Sequence, residues 1–227
     1  MKISPVSLFF IALTIVVAFL LVFNPEIVLI REFFLAGTVL AAVLIFWFLK
    51  KQIGWMRSLY LLIIAGAVGF IMELLGVHGM IFFSEYQYTD FLGLKLFQVP
   101  ILITPAWFIA ATTAFMAARL VLGFSKRIRP LRLFLLASLF AVIYDLPTEY
   151  MAMNVWDSWH WAESGPILGV PTMNYVGWFV VAFLIYGLGS SQWRQINNRK
   201  RGYRDLQIIC FVSFGLMVFH ALLSVFS

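Results

Sequence analysis

Three carboxyl groups occupy apolar segments of the sequence, where acidic residues are uncommon. Glu73 lies near the end of one apolar run, and Asp145 and Glu149 lie near the end of another, spaced i, i+4 with Pro147 between them. That spacing places the last two carboxyl groups on one face of a helix. An ionised carboxyl group near the centre of a bilayer costs roughly 2.5–3.5 kcal/mol, and burial favours its protonated form. We therefore expect the three groups to converge on a polar cavity and to perform acid–base chemistry there.

Two long segments rich in aromatic residues follow these acidic positions. Aromatic belts at a membrane interface explain part of this pattern. Aromatic rings beside buried acids can also stabilise a cation, because a desolvated cation–π contact is worth roughly 2 kcal/mol or more. The candidate binding residues are Tyr86, Tyr88, Trp107, Trp159, His160, Trp161 and Trp178.

The elements that must position these residues are membrane-spanning helices. Apolar residues make up 63% of the 227 positions and charged residues 11%, against roughly 45–50% and about 25% in soluble domains. We predict an all-α polytopic helical bundle of about seven transmembrane helices, forming a single integral membrane domain over residues 1–227. The predicted helices are Val6–Phe23, Phe33–Leu49, Leu59–Leu75, Ile101–Gly123, Leu131–Met151, Asn174–Gly189 and Leu206–Phe226.

Basic residues are unevenly distributed between the two sides of this predicted bundle. Fourteen of the 16 Lys and Arg residues fall on one side, and only Arg31 and Lys95 fall on the other. The larger group includes Lys2, Lys50, Lys51, Arg57, Lys126, Arg127 and Arg129. The positive-inside rule predicts a multi-pass protein of the cell (inner) membrane, with a cytoplasmic N-terminus and an external C-terminus. The net charge of +6 thus favours membrane lipids as partners, and no nucleic acid is expected.

The chain also resembles itself at an offset of 71 residues. Val99, Pro100, Trp107 and Phe108 align in this way with Val170, Pro171, Trp178 and Phe179. This pattern predicts that helices three and four and helices five and six form a parallel repeat about an axis along the membrane normal. The candidate site would then lie between the two helix pairs.

Two other function classes fit the sequence poorly. A microbial rhodopsin requires a lysine in the seventh helix for its retinal Schiff base, and Leu206–Phe226 contains none. The histidines His78, His160 and His220 lack the spacing of a zinc hydrolase, although a metal role for His78 or His160 stays open. A single cysteine, Cys210, excludes chemistry through an intrachain cysteine pair. We expect no cofactor and no bound metal.

The run from Gly169 to Trp178 reads Gly-Val-Pro-x-x-Asn-aromatic-x-Gly-Trp. Associated residues are Glu73, Leu74, Leu75, Gly76, Phe82, Phe83, Tyr86, Tyr88, Val99, Pro100, Trp107, Asp145, Pro147, Glu149, Trp159, His160 and Trp161. These motifs, within residues 65–185, resemble the carotenoid biosynthesis family of membrane proteins, which includes carotenoid 1,2-hydratases and bisanhydrobacterioruberin hydratases. The sequence departs from the pattern at Gln98, where a glycine would match the second copy.

The resemblance implies addition of water across the terminal C1–C2 double bond of a linear carotenoid of the lycopene or γ-carotene type. Protonation of the less substituted carbon gives a tertiary cation, and water captures it. From their chemistry, we predict that Asp145 donates the proton because it lies one helical turn deeper than Glu149. Glu149 or Glu73, with Asn174, would hold the water, while Tyr88, Trp159, Trp161 and Trp178 face the cation.

Two alternatives remain open at this point. A lycopene-type cyclase or isomerase uses the same protonation, but an internal double bond or loss of a proton replaces capture by water. A non-enzymatic carotenoid or quinone binding or transport protein would need the aromatic pocket but not the acids. Product analysis separates the first alternative from hydration, and carboxyl-to-amide substitutions separate the second.

Overall fold

The computed structural model describes residues 3–23, 30–80, 85–124 and 128–226. Within these ranges the chain forms an all-α membrane helical bundle. Its helices are α1 (Pro5–Phe23), α2 (Ile30–Ile53), α3 (Trp55–Val77), α4 (Ile103–Leu122), α5 (Pro130–Asn154), α6 (Thr172–Leu188), α7 (Ser190–Trp193) and α8 (Tyr203–Phe226). The seven long helices agree with the seven predicted segments to within a few residues, and α7 is a single additional turn after α6.

Five of these helices, α2, α3, α4, α5 and α8, are long and apolar enough to cross a membrane. The apolar segments Pro5–Phe19 of α1 and Thr172–Leu188 are shorter. Lys2, Phe82, Phe83, Lys126 and Arg127, which entered the sequence argument, lie outside the described residues.

Helix α4 is the centre of the bundle. Its most apolar window is 67% buried, against 28% for α2 and α3 and 17% for α8. It packs against α2, α3, α5 and α8. Gly66 and Gly69 of α3 allow this close packing, because a Cβ atom at either position would collide with the side chain of Thr104 or Trp107 on α4. The approach places the Trp107 indole beside the end of α3.

The two ends of the bundle differ in composition. At one end, the Ser4 backbone N–H and the Ser7 hydroxyl donate hydrogen bonds to Asp205 Oδ1, at 2.8 and 2.7 Å. The Gln52 amide donates to the Arg201 carbonyl at 2.8 Å. These contacts gather the starts of α1 and α8 and the end of α2, and most of the described basic residues flank them. The opposite end carries the short strands and the three acidic residues of the candidate site.

Four short strands form two antiparallel pairs at this second end. Strand β1 (Tyr86–Tyr88) pairs with β4 (Trp159–Trp161), and β2 (Lys95–Leu96) pairs with β3 (Val99–Pro100). The β1–β4 pair joins the segment after α3 to the segment after α5. It therefore links the two stretches of chain whose aromatic composition marked them as candidate binding segments.

The turn between β2 and β3 has a counterpart 71 residues later. Phe97 and Gln98 have φ values of 49° and 69°, and Leu168 and Gly169 have φ values of 55° and 77°. Leu96 pairs with Val99 around the first turn, and Ile167 bridges Val170 around the second. Positive φ at both central residues is typical of a type I′ turn. The internal similarity thus extends to the backbone, whereas a common axis for the helix pairs stays a prediction.

Candidate functional site

A cavity of about 430 Å³ lies at the end of the bundle that carries the strands. Glu73 and Glu149 line it, together with Asn174 and aromatic side chains from β1, β4, α4 and α6. Glu73 and Glu149 are the only Asp, Glu, Lys or Arg residues among the described residues that line the cavity. Most of the remaining wall is apolar, so the two carboxyl groups dominate its electrostatics.

Glu73 accepts three hydrogen bonds from aromatic side chains. Its Oε1 atom accepts from Trp107 Nε1 at 3.0 Å, and its Oε2 atom accepts from the hydroxyls of Tyr88, at 2.8 Å, and Tyr86. Three neutral donors are therefore directed at one carboxyl group. Burial, followed by the negative charge of Glu73, raises the pKa of both tyrosines well above the usual range, so both phenols remain neutral donors.

Glu149 also accepts three hydrogen bonds. Trp159 Nε1 and Trp161 Nε1 both donate to its Oε2 atom at 3.0 Å, and Asn174 Nδ2 donates to its Oε1 atom at 3.0 Å. The two indoles lie on the same face of β4 because alternate residues of a strand point to the same side. The carboxyl group is therefore fixed by a strand on one side and by α6 on the other.

Asp145 adjoins Glu149 through the same amide. Asn174 Nδ2 donates to Asp145 Oδ2 at 2.8 Å, so one amide nitrogen bridges two carboxyl groups. The Asp145 side chain is fully buried, and its Oδ1 atom has no hydrogen-bond partner among the described residues. Asp145 is also absent from the described lining of the cavity. It is connected to the cavity lining through its hydrogen bond from Asn174.

Aromatic rings connect the surroundings of the two glutamates. Three ring pairs have centroid separations of 4.8, 5.7 and 4.2 Å: Tyr86 with Trp161, Tyr88 with Trp159, and Trp107 with Trp178. Each of the first two pairs joins a donor to Glu73 with a donor to Glu149. A positive charge formed between the carboxyl groups would therefore be close to several aromatic rings.

Nine of the eleven predicted site residues line this cavity, and Asp145 reaches it through Asn174. The structure does not bring His160 to the site. Residue His160 pairs with Gln87 in the β1–β4 ladder, on the face opposite to Trp159 and Trp161. Its Nε2 atom lies 3.1 Å from Asp157 Oδ1, and both side chains are exposed.

The second histidine considered as a metal ligand, His78, also lies away from the cavity. His78 Nδ1 lies 2.9 Å from the Leu74 carbonyl oxygen, on the exposed end of α3. Among the described residues, no group of three or more His, Cys, Asp or Glu side chains has an arrangement that could hold a metal ion.

Sequence reasoning missed His220 and Trp156, which also line the cavity. Their ring centroids are 6.2 Å apart, and Trp156 also contacts Phe34 with centroids 4.1 Å apart. His220 had a usable signal, because an ionisable residue inside a transmembrane segment is by default a candidate for function. It is the only ionisable side chain in the second half of α8.

The fold and the cavity define a class: a polytopic membrane protein with an interior cavity lined by acidic and aromatic side chains. The family described as carotenoid biosynthesis protein matches residues 30–227, from the start of α2 onward. The chain belongs to this family, and the resemblance inferred from its motifs is confirmed. Family membership supports a role in carotenoid biosynthesis. No curated protein and no solved structure matches the chain.

Proposed function

We propose that the protein is a carotenoid hydratase that adds water across the terminal C1–C2 double bond of a linear carotenoid, giving a tertiary alcohol. The supporting observation is that Glu73 and Glu149 face one aromatic cavity, each with its own set of hydrogen-bond donors. Hydration of an alkene requires one group that gives a proton to carbon and another that takes a proton from water. Two separately held carboxyl groups can supply both functions without a cofactor.

The Asp145–Glu149 pair is the proposed source of the proton. Both groups accept hydrogen bonds from the same Asn174 nitrogen, and two carboxyl groups this close do not both ionise readily. Among the described residues, Asp145 accepts from one donor, and its buried Oδ1 atom has no partner, so an ionised form there would be poorly stabilised. Asp145 therefore keeps one proton on the pair, and Glu149, which lines the cavity, presents it to the alkene.

This assignment modifies the role predicted for Asp145 from the sequence. The complete burial of Asp145 supports a role in keeping a proton on the pair, which Glu149 then delivers. Direct transfer from Asp145 to the substrate does not fit this arrangement, because Asp145 is not among the described residues that line the cavity. Asp145 is accordingly a positioning residue that acts through Glu149.

Glu73 is the proposed base. Its three donors stabilise a carboxylate, which can orient a water molecule and take a proton from it as the carbon–oxygen bond forms. The alkene gains its proton from Glu149, and the water that adds to the cation loses a proton to Glu73. Transfer of that proton back to the α5 pair restores the starting state, so the net change is addition of one water molecule.

The aromatic rings are proposed to stabilise the cation during this interval. Trp159 and Trp161 are held in place by their own hydrogen bonds to Glu149, and Trp107 by its hydrogen bond to Glu73. Their orientation is therefore set before the charge forms, which is the condition under which fixed groups stabilise a transition state most effectively.

Expression in a lycopene-producing host, with chromatography and mass analysis of the pigments, tests this function. A hydratase adds the mass of one water molecule for each modified end group. A cyclised or isomerised product of unchanged mass would instead identify the cyclase alternative. Unaltered carotenoid that copurifies with the protein would identify a binding or transport protein.

The proposed orientation places the basic end of the bundle in the cytoplasm and the strands with the cavity on the external side of the cell membrane. The clustering of Lys and Arg residues at one end supports it through the positive-inside rule. A reporter fused after Ser227 should be located outside the cytoplasm. A cytoplasmic location of that reporter would reverse the assignment.

A further inference from the structure

The cavity continues from the carboxyl groups of Glu73 and Glu149 to a gap between α1 and α2, next to α8. Five residues define this α1–α2 opening: Phe10, Leu13 and Val17 on α1, and Phe33 and Gly37 on α2. Leu13 and Phe33 are 37% and 48% exposed, so the lining reaches the outer surface of the bundle. Both helices are apolar along this stretch, and the opening therefore faces the hydrocarbon part of the membrane.

The gap has a simple origin in the packing of the helices. Helices α1 and α2 are consecutive in the chain, but both pack against α8 and, among the described residues, make few contacts with each other. Because α1 and α2 pack against α8 rather than against each other, a groove remains between them. In this protein the groove is continuous with the site that contains Glu73 and Glu149.

We propose that the α1–α2 opening admits and holds the polyene chain of the carotenoid while its end group lies between Glu73 and Glu149. This inference rests on the proposed function, because it assumes that a linear carotenoid is the substrate. The five residues that define the opening are apolar. The hydroxyls of Thr14 and Thr38, which line the cavity beside them, donate to backbone carbonyls of their own helices, so the passage suits a hydrocarbon chain and would not retain a hydrated ligand. A linear carotenoid is much longer than its end group, and the remaining chain must leave the site through an apolar passage.

Gly37 is the smallest of the five residues that line the opening. A Cβ atom built at Gly37 meets no heavy atom within 4 Å, although the residue lines the cavity. A methyl group at this position therefore meets no protein atom, and a larger side chain is expected to extend into the passage. Gly187 on α6 also has nothing within 4 Å of its Cβ position, but it is not among the described lining residues. Gly187 is therefore a matched control for substitution of a glycine in a helix.

Binding of lycopene to the purified, detergent-solubilised full-length protein tests the proposal. Quenching of tryptophan fluorescence reports the binding, because Trp107, Trp159 and Trp161 line the cavity. Gly37→Phe should raise the apparent dissociation constant for lycopene at least tenfold, Gly37→Ala should raise it less, and Gly187→Phe should change it less than twofold. Gly37→Leu replaces Gly37→Phe if the phenylalanine variant does not fold.

Wild-type affinity in both the Gly37→Phe and Gly37→Leu variants would overturn the proposal, as would a wild-type protein that does not bind lycopene. Analysis of pigments from cells that express the same variants separates this inference from the proposed function. If the wild type binds lycopene without hydrating it and Gly37→Phe loses binding, the opening stands and the hydratase assignment fails. If Gly37→Phe hydrates lycopene at the wild-type rate, the opening fails and the hydratase assignment stands.

Discussion

The surroundings of Glu73 and Glu149 follow the same plan in two halves of the chain. Each carboxyl group accepts two hydrogen bonds from alternate residues of a short strand and a third from the helix that follows. The halves differ four residues before each glutamate, where Gly69 precedes Glu73 and Asp145 precedes Glu149. The same framework thus contains one carboxyl group in the first half and two in the second.

This single difference accounts for the different roles that we propose for the two glutamates, with Glu149 as the acid and Glu73 as the base. Gly69 makes room for the Trp107 indole, which donates to Glu73 and leaves that carboxyl group without an acidic neighbour on its own helix. In the second half, Asp145 and the bridging amide of Asn174 give Glu149 a partner that can store a proton. One half is therefore suited to accept a proton and the other to supply one.

The largest expected effect is that of Glu149→Gln. The amide keeps the size of the side chain but cannot transfer a proton to carbon, so hydrated, cyclised and isomerised products should all fall by about a thousandfold, within the range for general acid catalysis. Pigment analysis in a lycopene-producing host provides the measurement. The exposed Glu85, just before β1, gives the matched control Glu85→Gln, which should behave as the wild type. Near-normal product from Glu149→Gln would remove Glu149 from the acid role.

Asp145→Asn should lower product formation about a hundredfold at neutral pH, because Glu149 then loses the neighbour that keeps a proton on the pair. Glu149 can still take a proton from solution, so the rate of this variant should rise as the pH is lowered. Assays of purified protein between about pH 5 and 8 would show this rise, and Glu149→Gln should not show it. A loss independent of pH would indicate that Asp145 has only a structural role.

Glu73→Gln should change the identity of the product more than the consumption of lycopene. The α5 pair still protonates the alkene, but the water lacks its base, and the cation should lose a proton or cyclise. We expect consumption within about tenfold of the wild type, with products of unchanged mass replacing most of the alcohol. Equivalent products from Glu73→Gln and Glu149→Gln would contradict the difference between the two halves.

Tyr88→Phe should lower formation of the alcohol about tenfold, because a hydrogen bond to a charged group contributes roughly 1.5–3 kcal/mol. The raised pKa of Tyr88 keeps its phenol neutral, so the wild-type pH profile should show no phenol ionisation below about pH 10. Tyr60→Phe is the control, since the Tyr60 hydroxyl donates to the Leu188 carbonyl at the other end of the bundle. Equal rates in the two variants would indicate that Tyr88 does not support Glu73.

His160→Ala should have the smallest effect, less than twofold on product formation. The side chain lies on the outer face of the β1–β4 pair and contacts Asp157 rather than the cavity. Trp161→Phe, which removes a donor to Glu149 one residue away, should have a clearly larger effect in the same assay. A large loss in His160→Ala alone would return this histidine to the site.

The positions of the helices and of the acidic residues could be predicted because both follow from local properties of the sequence. Five of the seven apolar runs form helices that are long enough to span a bilayer, and the helical period places Asp145 and Glu149 on one face. Asn174 could also be selected as a candidate, since it lies in the first turn of the helix that follows the second aromatic segment. Its bridge between the two α5 carboxyl groups depends on the packing of α6 against α5, which sequence alone does not specify.

The sequence did not indicate on which face of its strand each residue of β1 and β4 lies. Strands of three residues carry little periodic signal, and β1 pairs with a segment about 70 positions away. The alternation of Tyr86 with Tyr88 and of Trp159 with Trp161 was nevertheless visible. If these segments had been assigned as strands, His160 would have been placed on the outward face.

The hydrogen bonds between Asp205 and the start of α1 have a consequence for the biogenesis of the protein. They join Ser4 and Ser7 to a residue 201 and 198 positions later in the chain. During translation, α1 is therefore synthesised long before α8 becomes available to pack against it, and contacts between such distant segments form late. Docking of α8 is accordingly a late step in membrane assembly, and a nascent chain arrested before α8 would leave α1 without its main partner.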